Sequence, residues 1–269
     1  MVCFEVNLES GEEGGMSMSN YLSEQEKRVF RSKVFHAAAK LFLEKGYSRA
    51  TTRAIAKCAG VNVSAMNRQF GTKENILCEL VRFVLNGQLR TAREIIAEKT
   101  DDPILFYAVE TALQLYMAES SASVRELYLA AYSQPRSSAL ICTMVSQTLL
   151  PRVFVDYLPG RSKDDFYQLE IASGGVIRGY IAVPCSPEFT MEQKTAHFLD
   201  ASLRIYHVPA DKIQEAIGFV KQFDLQTIAR DTIISMLRSL KDPAAGVFAL
   251  DGTEWQITQE NHTPKEETI

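Results

Sequence analysis

The stretch from Thr51 to Lys73, TTRAIAKCAGVNVSAMNRQFGTK, constrains the fold of this chain more than any other. Apolar residues fall on one side of two short segments: Ile55, Ala56 and Ala59 in the first, Val61, Met66 and Phe70 in the second. Gly60 stands between them, where a helix end must reverse and only glycine takes a positive φ freely. The pattern predicts two short helices joined by a tight turn, the helix-turn-helix shape whose second helix suits a DNA major groove.

The preceding segment, Ser23 to Lys45, reads as one longer helix. Ser23 and Glu26 have the spacing of a capping box. Phe30, Val34, Ala37, Ala38, Leu41 and Phe42 form a helical stripe that would pack across the two motif helices and hold their angle. Lys27, Arg28, Arg31 and Lys33 near its start are candidates for phosphate contact, or equally a solvated face.

Charge supports a nucleic-acid partner once it is divided. The chain carries a net charge of −4, yet Glu24 to Asn75 holds eleven Lys and Arg against four Asp and Glu. The first 23 residues and the long remainder are both acidic. Basic charge is thus concentrated on the motif-bearing segment, where phosphates would need it.

Phe42, Gly46, Tyr47, Thr51, Thr52, Ile55, Ala56, Ala59, Gly60, Val61, Phe70, Lys73 and Glu74 fall in one register within a segment of about fifty residues. In this the segment resembles the tetracycline-repressor-like family of bacterial transcriptional regulators. Three positions depart from that pattern. Asn62 stands where Ser or Thr usually caps the recognition helix, Ser64 where Gly is common, and Asn67 where a phosphate-binding Tyr is usual. Asn is itself a good N-cap, and Asn67 can donate to a phosphate or read an adenine edge.

The resemblance implies an all-α chain. A three-helix DNA-binding domain (residues 23–75) would precede a larger helical effector-binding and dimerisation domain (76–241). It further implies a homodimer on a double-stranded DNA operator, released by an unknown small-molecule effector. The family's contact positions fall on Thr52, Arg53, Val63, Ser64, Ala65, Asn67, Gln69 and Lys73. The outward side of the second motif helix adds Asn62 and Arg68, and Thr51 opens the first. A polar exterior on a small helical domain is the plainer reading of the same residues.

Beyond the motif, Thr72 to about Lys99 reads as one long helix that runs into the acidic remainder without a linker, stiff enough to carry a displacement between domains. Further helices are expected at 103–120, 123–133, 137–157, 164–183, 190–206, 209–220 and 224–240, with breaks at Pro- and Ser-bearing stretches. Asp251-Gly252, between two short apolar runs, is a hairpin signal within a C-terminal tail of residues 242–269. Residues 1–22, acidic and Gly-rich, read as a disordered extension, or as one not normally translated if the start lies at Met16 or Met18.

Tyr107, Glu110, Tyr128, Tyr132 and Tyr167 are the ligand-binding candidates, because buried Tyr hydroxyls need partners and often line amphipathic cavities. Gly174, Gly175 and Gly179 sit within a helical pattern. No strand precedes them and no Lys-Ser or Lys-Thr follows, which rejects a phosphate loop. Close helix–helix approach is the better reading, with Gly175 and Gly179 in the family's dimer-forming region near Lys163 to Tyr206.

An enzyme finds little support. The four histidines have no metal-ligand spacing, and there is no nucleophile elbow. No metal or cofactor is expected. Cys3, Cys58, Cys78, Cys142 and Cys185 form no C-x-x-C pair and read as reduced thiols, with redox sensing at Cys58 the less favoured alternative. With no signal sequence or membrane-spanning run in view, a cytoplasmic protein is expected.

Overall fold

The computed structural model describes residues 23–240, all of whose regular elements are helices. The head is α1 (Glu24–Lys45), α2 (Thr52–Ala59) and α3 (Val63–Phe70). A long α4 (Lys73–Ile96) leads to the body: α5 (Pro103–Glu119), α6 (Ala122–Ser133), α7 (Pro135–Thr148), α8 (Leu150–Val153), α9 (Lys163–Ala182), α10 (Met191–Ile205), α11 (Ala210–Val220) and α12 (Leu225–Ser239). The expected hairpin near residue 251, the rest of the C-terminal tail and the N-terminal extension lie outside the described residues.

Caps set most boundaries. The capping box of α1 forms as expected, with the Glu26 N–H on Ser23 Oγ at 3.2 Å and the Ser23 N–H on Glu26 Oε2 at 2.7 Å. Thr72 Oγ1 accepts the Asn75 N–H at 3.2 Å and opens α4. The helix expected over 137–157 is corrected in two respects. Pro135 starts it rather than preceding it, since proline suits the first helical turn. It then breaks at Leu149, because Pro151 cannot donate a backbone bond and disfavours a continuous helix before it.

Two apolar cores share α4. Ile76, Leu77, Leu80 and Val81 join Phe42, Ile55, Met66 and Phe70 in the head. Leu85, Leu89, Ala92 and Ile96 join Val109, Leu113, Phe154 and Leu199 in the body. At about 36 Å long, one helix therefore belongs to both regions. Gly87 lies where α12 crosses it: a Cβ there would sit 2.3 Å from Met236 Cε, so only a glycine admits that approach without a shift. The α6 residues Ala130 and Ala131 also pack into the head's core. Among the described residues, no helix is long and apolar enough to cross a membrane.

Candidate nucleic-acid interface and a polar cavity in the body

The turn between α2 and α3 is built from backbone requirements. Thr51 Oγ1 accepts the Ala54 N–H at 3.1 Å and starts α2. Gly60 takes φ 66° and ψ 32°, its N–H reaching the Lys57 carbonyl while the Val61 N–H reaches that of Ala56. This is the paired left-handed stop that reverses a helix end. A Cβ at Gly60 would meet no neighbour, so the position is restricted by conformation and not by space. Two residues on, Asn62 Oδ1 accepts the Ser64 and Ala65 N–H groups at 2.8 and 3.3 Å and opens α3.

The two sides of α3 then diverge. Met66 and Phe70 are buried, and the Phe70 ring meets Phe35 edge-on with centroids 5.5 Å apart. Asn62, Ser64, Asn67, Arg68 and Gln69 are exposed, with Val63 and Ala65 half-buried among them. Thr51 and Arg53 are exposed beside this side, and Thr52 is half-buried. Lys73 is placed differently. Its Nζ donates to the Tyr47 carbonyl at 2.9 Å and lies 4.1 Å from the Tyr47 ring centre, and burial lowers its pKa. It ties the start of α4 to the turn after α1. Of the basic residues on α1, Arg31 pairs with Glu79 and covers the Phe70 ring, whereas Arg28 and Lys33 are exposed.

Side chains fasten this head to the body. Glu126 of α6 accepts the Ser48 N–H at 2.7 Å, and Glu74 accepts the Arg136 N–H at 2.7 Å. The Arg136 guanidinium reaches Asn75 Oδ1 at 2.9 Å.

Inside the body a cavity of about 30 Å³ is lined by Tyr107, Glu110, Gln114, Tyr132, Glu170 and Ser173, with Leu85, Ile141 and Phe198 among its apolar walls. Three of the five expected ligand residues meet there. Tyr128 instead sends its hydroxyl to Met117 Sδ at 3.7 Å and lines a separate apolar cavity, while Tyr167 is half-exposed on α9 and lines neither. Tyr107 Oη bonds Ser202 Oγ at 2.8 Å, Gln114 Nε2 donates to Tyr132 Oη at 2.6 Å, and Tyr206 Oη donates to Glu170 Oε2 at 2.8 Å. Glu110 Oε1 is buried without a hydrogen-bond partner. Burial and the nearby Glu170 push the Glu110 carboxyl up to about 8, and burial pushes Glu170 up to about 7 against the opposing bond from Tyr206.

Glu170, Gln114, Ser173, Ser202 and Tyr206 are missing from the sequence-based candidates. One signal was available for Glu170. It stands four residues after Phe166 and seven before Ile177, on the buried stripe of α9, where a carboxylate needs a reason.

Gly175 and Gly179 are exposed on α9, with no atom of the chain within 4 Å of a Cβ placed on either. Close approach within the chain therefore does not account for them. Gly174 does meet neighbours, Glu170 Oε1 and the Tyr132 ring, at ordinary contact distances.

A head with this turn and this two-sided second helix has helix-turn-helix geometry, the shape found in DNA-binding domains. The sequence model of the bacterial regulatory proteins of the tetR family matches residues 34–80. Over 125 residues the chain is 27% identical to an uncharacterized HTH-type transcriptional regulator of Mycobacterium tuberculosis, Rv2912c, covering 46% of this chain and 64% of that one. It is 32% identical over 81 residues to the HTH-type transcriptional repressor KstR2 of Rhodococcus jostii, covering 30% of this chain and 40% of the relative. The chain thus spans less than two thirds of the length of these relatives. The solved structure of RolR in complex with resorcinol has a similar fold, with a TM-score of 0.55 and 16% identity over 72% of this chain and 96% of RolR. Residues 34–80 thus match the tetR-type segment of bacterial regulatory proteins, and the chain is similar in sequence to HTH-type transcriptional regulators.

Proposed function

We propose that the protein is a homodimeric, cytoplasmic repressor that grips a palindromic operator through residues 23–75 and lets go when the body, residues 76–241, binds a small molecule. The observation that carries this reading is the two-sidedness of α3. One side is locked into the core by Met66 and Phe70, and the other offers Ser64, Asn67, Arg68 and Gln69 to a partner. Asn67 and Gln69 match the donor–acceptor pair of adenine, and Arg68 matches guanine or phosphate. Thr51, Thr52 and Arg53 would meet the flanking backbone, with the Asn62 amide nitrogen and the two remaining Lys73 N–H donors beside them. One relative is itself a repressor by name.

Dimerisation is supported by an exposed line made of Ile171, Gly175 and Gly179 on α9 and Val183 just past its end, with Ile171 and Val183 57% and 53% exposed. A two-fold pair would set its recognition helices roughly 34–36 Å apart. Release requires an effector that binds a mis-spaced conformation more tightly than the DNA-competent one. The route between the sites is physical: α4 lines the cavity with Leu85 and starts beside α3.

A second reading, a sensor that has given up specific DNA binding, is favoured by Asn67 standing in the usual Tyr position. A gel shift of the full chain on the DNA upstream of its own coding sequence separates the two. Retardation that survives excess unrelated duplex supports the repressor. Retardation no stronger than on unrelated duplex supports the sensor.

A further inference from the structure

We infer that the body cavity takes a compact effector bearing a positive charge, its cationic group seated against the carboxyls of Glu110 and Glu170. This deepens the reading of the body as the effector-binding region and rests on it.

Glu110 on α5 and Glu170 on α9 are 3% and 7% exposed and line one cavity. No Lys, Arg or His lines it with them. Glu170 has the Tyr206 hydroxyl as a donor, whereas Glu110 Oε1 has none. The other titratable groups facing the pair are Tyr107 on α5, Tyr128 and Tyr132 on α6, Cys142 on α7, and Tyr206 at the end of α10. Burial holds each of them in its protonated, neutral form. Burial disfavours the charged form of both carboxyls. They keep protons at pH values where an exposed Glu has lost its own.

A carboxyl with no donor costs stability unless something compensates it. An anion would be repelled as soon as either acid ionised. A neutral alcohol could accept from a protonated carboxyl, yet it would leave the acids uncharged and gain nothing from the pair. An ammonium supplies both N–H donors and positive charge, and the aromatic residues Tyr107 and Tyr132 line the same cavity.

The space is about 30 Å³, roughly the share of one water in the liquid. An organic amine must therefore push the walls apart. Two of those walls, Leu85 of α4 and Ile141 of α7, belong to helices that also touch the head's core. Entry of the ligand and displacement of the head are thereby linked in one event.

The test uses the full chain and titration calorimetry at pH 6.5 and 8.0. Tyramine and benzylamine are the probes, and their neutral isosteres 4-(2-hydroxyethyl)phenol and benzyl alcohol are the controls. The expected result is that the amines bind, at least tenfold more tightly than the alcohols. Their affinity should rise by up to roughly tenfold per pH unit, with proton release visible in buffers of different ionisation enthalpy. Glu110→Gln and Glu170→Gln should each weaken amine binding at least tenfold and flatten the pH dependence, with the helical circular dichroism retained. Should either variant not fold, the proton count on the wild-type chain decides. Amines that fail to bind, alcohols that bind equally well, or an affinity that falls with pH would overturn the proposal. DNA release is scored separately: an amine that binds without freeing a retained duplex leaves the cation site standing and removes ligand release.

Discussion

In the head, the polar side chains of Thr51, Asn62 and Thr72 each close a helix end, and the remaining polar groups of α3 face solvent. In the body, Glu110, Gln114, Tyr132 and Glu170 line a small interior cavity of about 30 Å³. Both regions hold buried apolar cores of similar make-up, so the contrast is in where polarity is spent. An outward polar face is ready to bind without rearrangement. An inward one carries a buried, uncompensated acid whose cost changes with pH and with whatever enters. The head presents its polar groups on a surface, and the body holds its own around an interior cavity.

The largest expected effect tests that dependence on pH. The Glu110 carboxyl, at about 8 when folded against 4.5 as its ordinary value, is raised by folding. Its contribution to stability is therefore fully present below about pH 4.5 and is lost as pH climbs through about 8. The loss is up to about 5 kcal/mol by pH 8, as an upper bound. Urea unfolding at pH 5 and pH 8 should show this fall, and Glu110→Gln should remove most of it. A wild-type stability that is flat or rising over that window would erase the contrast between the regions.

Next in size, Phe70→Ala removes the ring that locks α3 to α1 and should cost about 3–5 kcal/mol, read as a lower thermal midpoint together with loss of DNA retention. A folded head with unchanged retention would mean that α3 is not positioned by its buried side. Asn62→Ala should cost about 1 kcal/mol through the lost helix cap, whereas Asn62→Ser should restore most of it. Smallest in stability, Arg53→Ala and Arg68→Ala should lie within about 0.5 kcal/mol of the wild type. Each should nevertheless lower the salt dependence of DNA binding by about one counterion. If both leave the salt slope unchanged, the outward face of α3 is not the phosphate-bearing one.

The head was largely legible because its instructions are local. Gly60 must be left-handed, Asn62 must cap, and the spacing of Ile55, Met66 and Phe70 fixes what turns inward. Each of these is settled within a few residues. Most body helices were equally readable, since Ser and Pro punctuate them, and only Pro151 went unread as a break. The cavity was not legible in the same way. Tyr107, Tyr128 and Tyr132 look alike in sequence, yet only packing between α5, α6 and α9 decides which of them shares a space with Glu170. Tyr167 shows the same limit from the other side. It follows Phe166 directly on α9, and one step around the helix separates a buried ring from a half-exposed one. Lys73, likewise, is a contact candidate by sequence, yet it spends one donor and its cation–ring contact on Tyr47.

Whether the head recognises a DNA sequence is decided by selecting binding sites from a random duplex pool with the full chain, followed by fluorescence anisotropy on the enriched sequence. The expected result is enrichment of an inverted repeat, bound at least a thousandfold more tightly than bulk duplex at moderate salt, about the lower bound of specific recognition. Failure to enrich any sequence, with all duplexes bound alike, would contradict it.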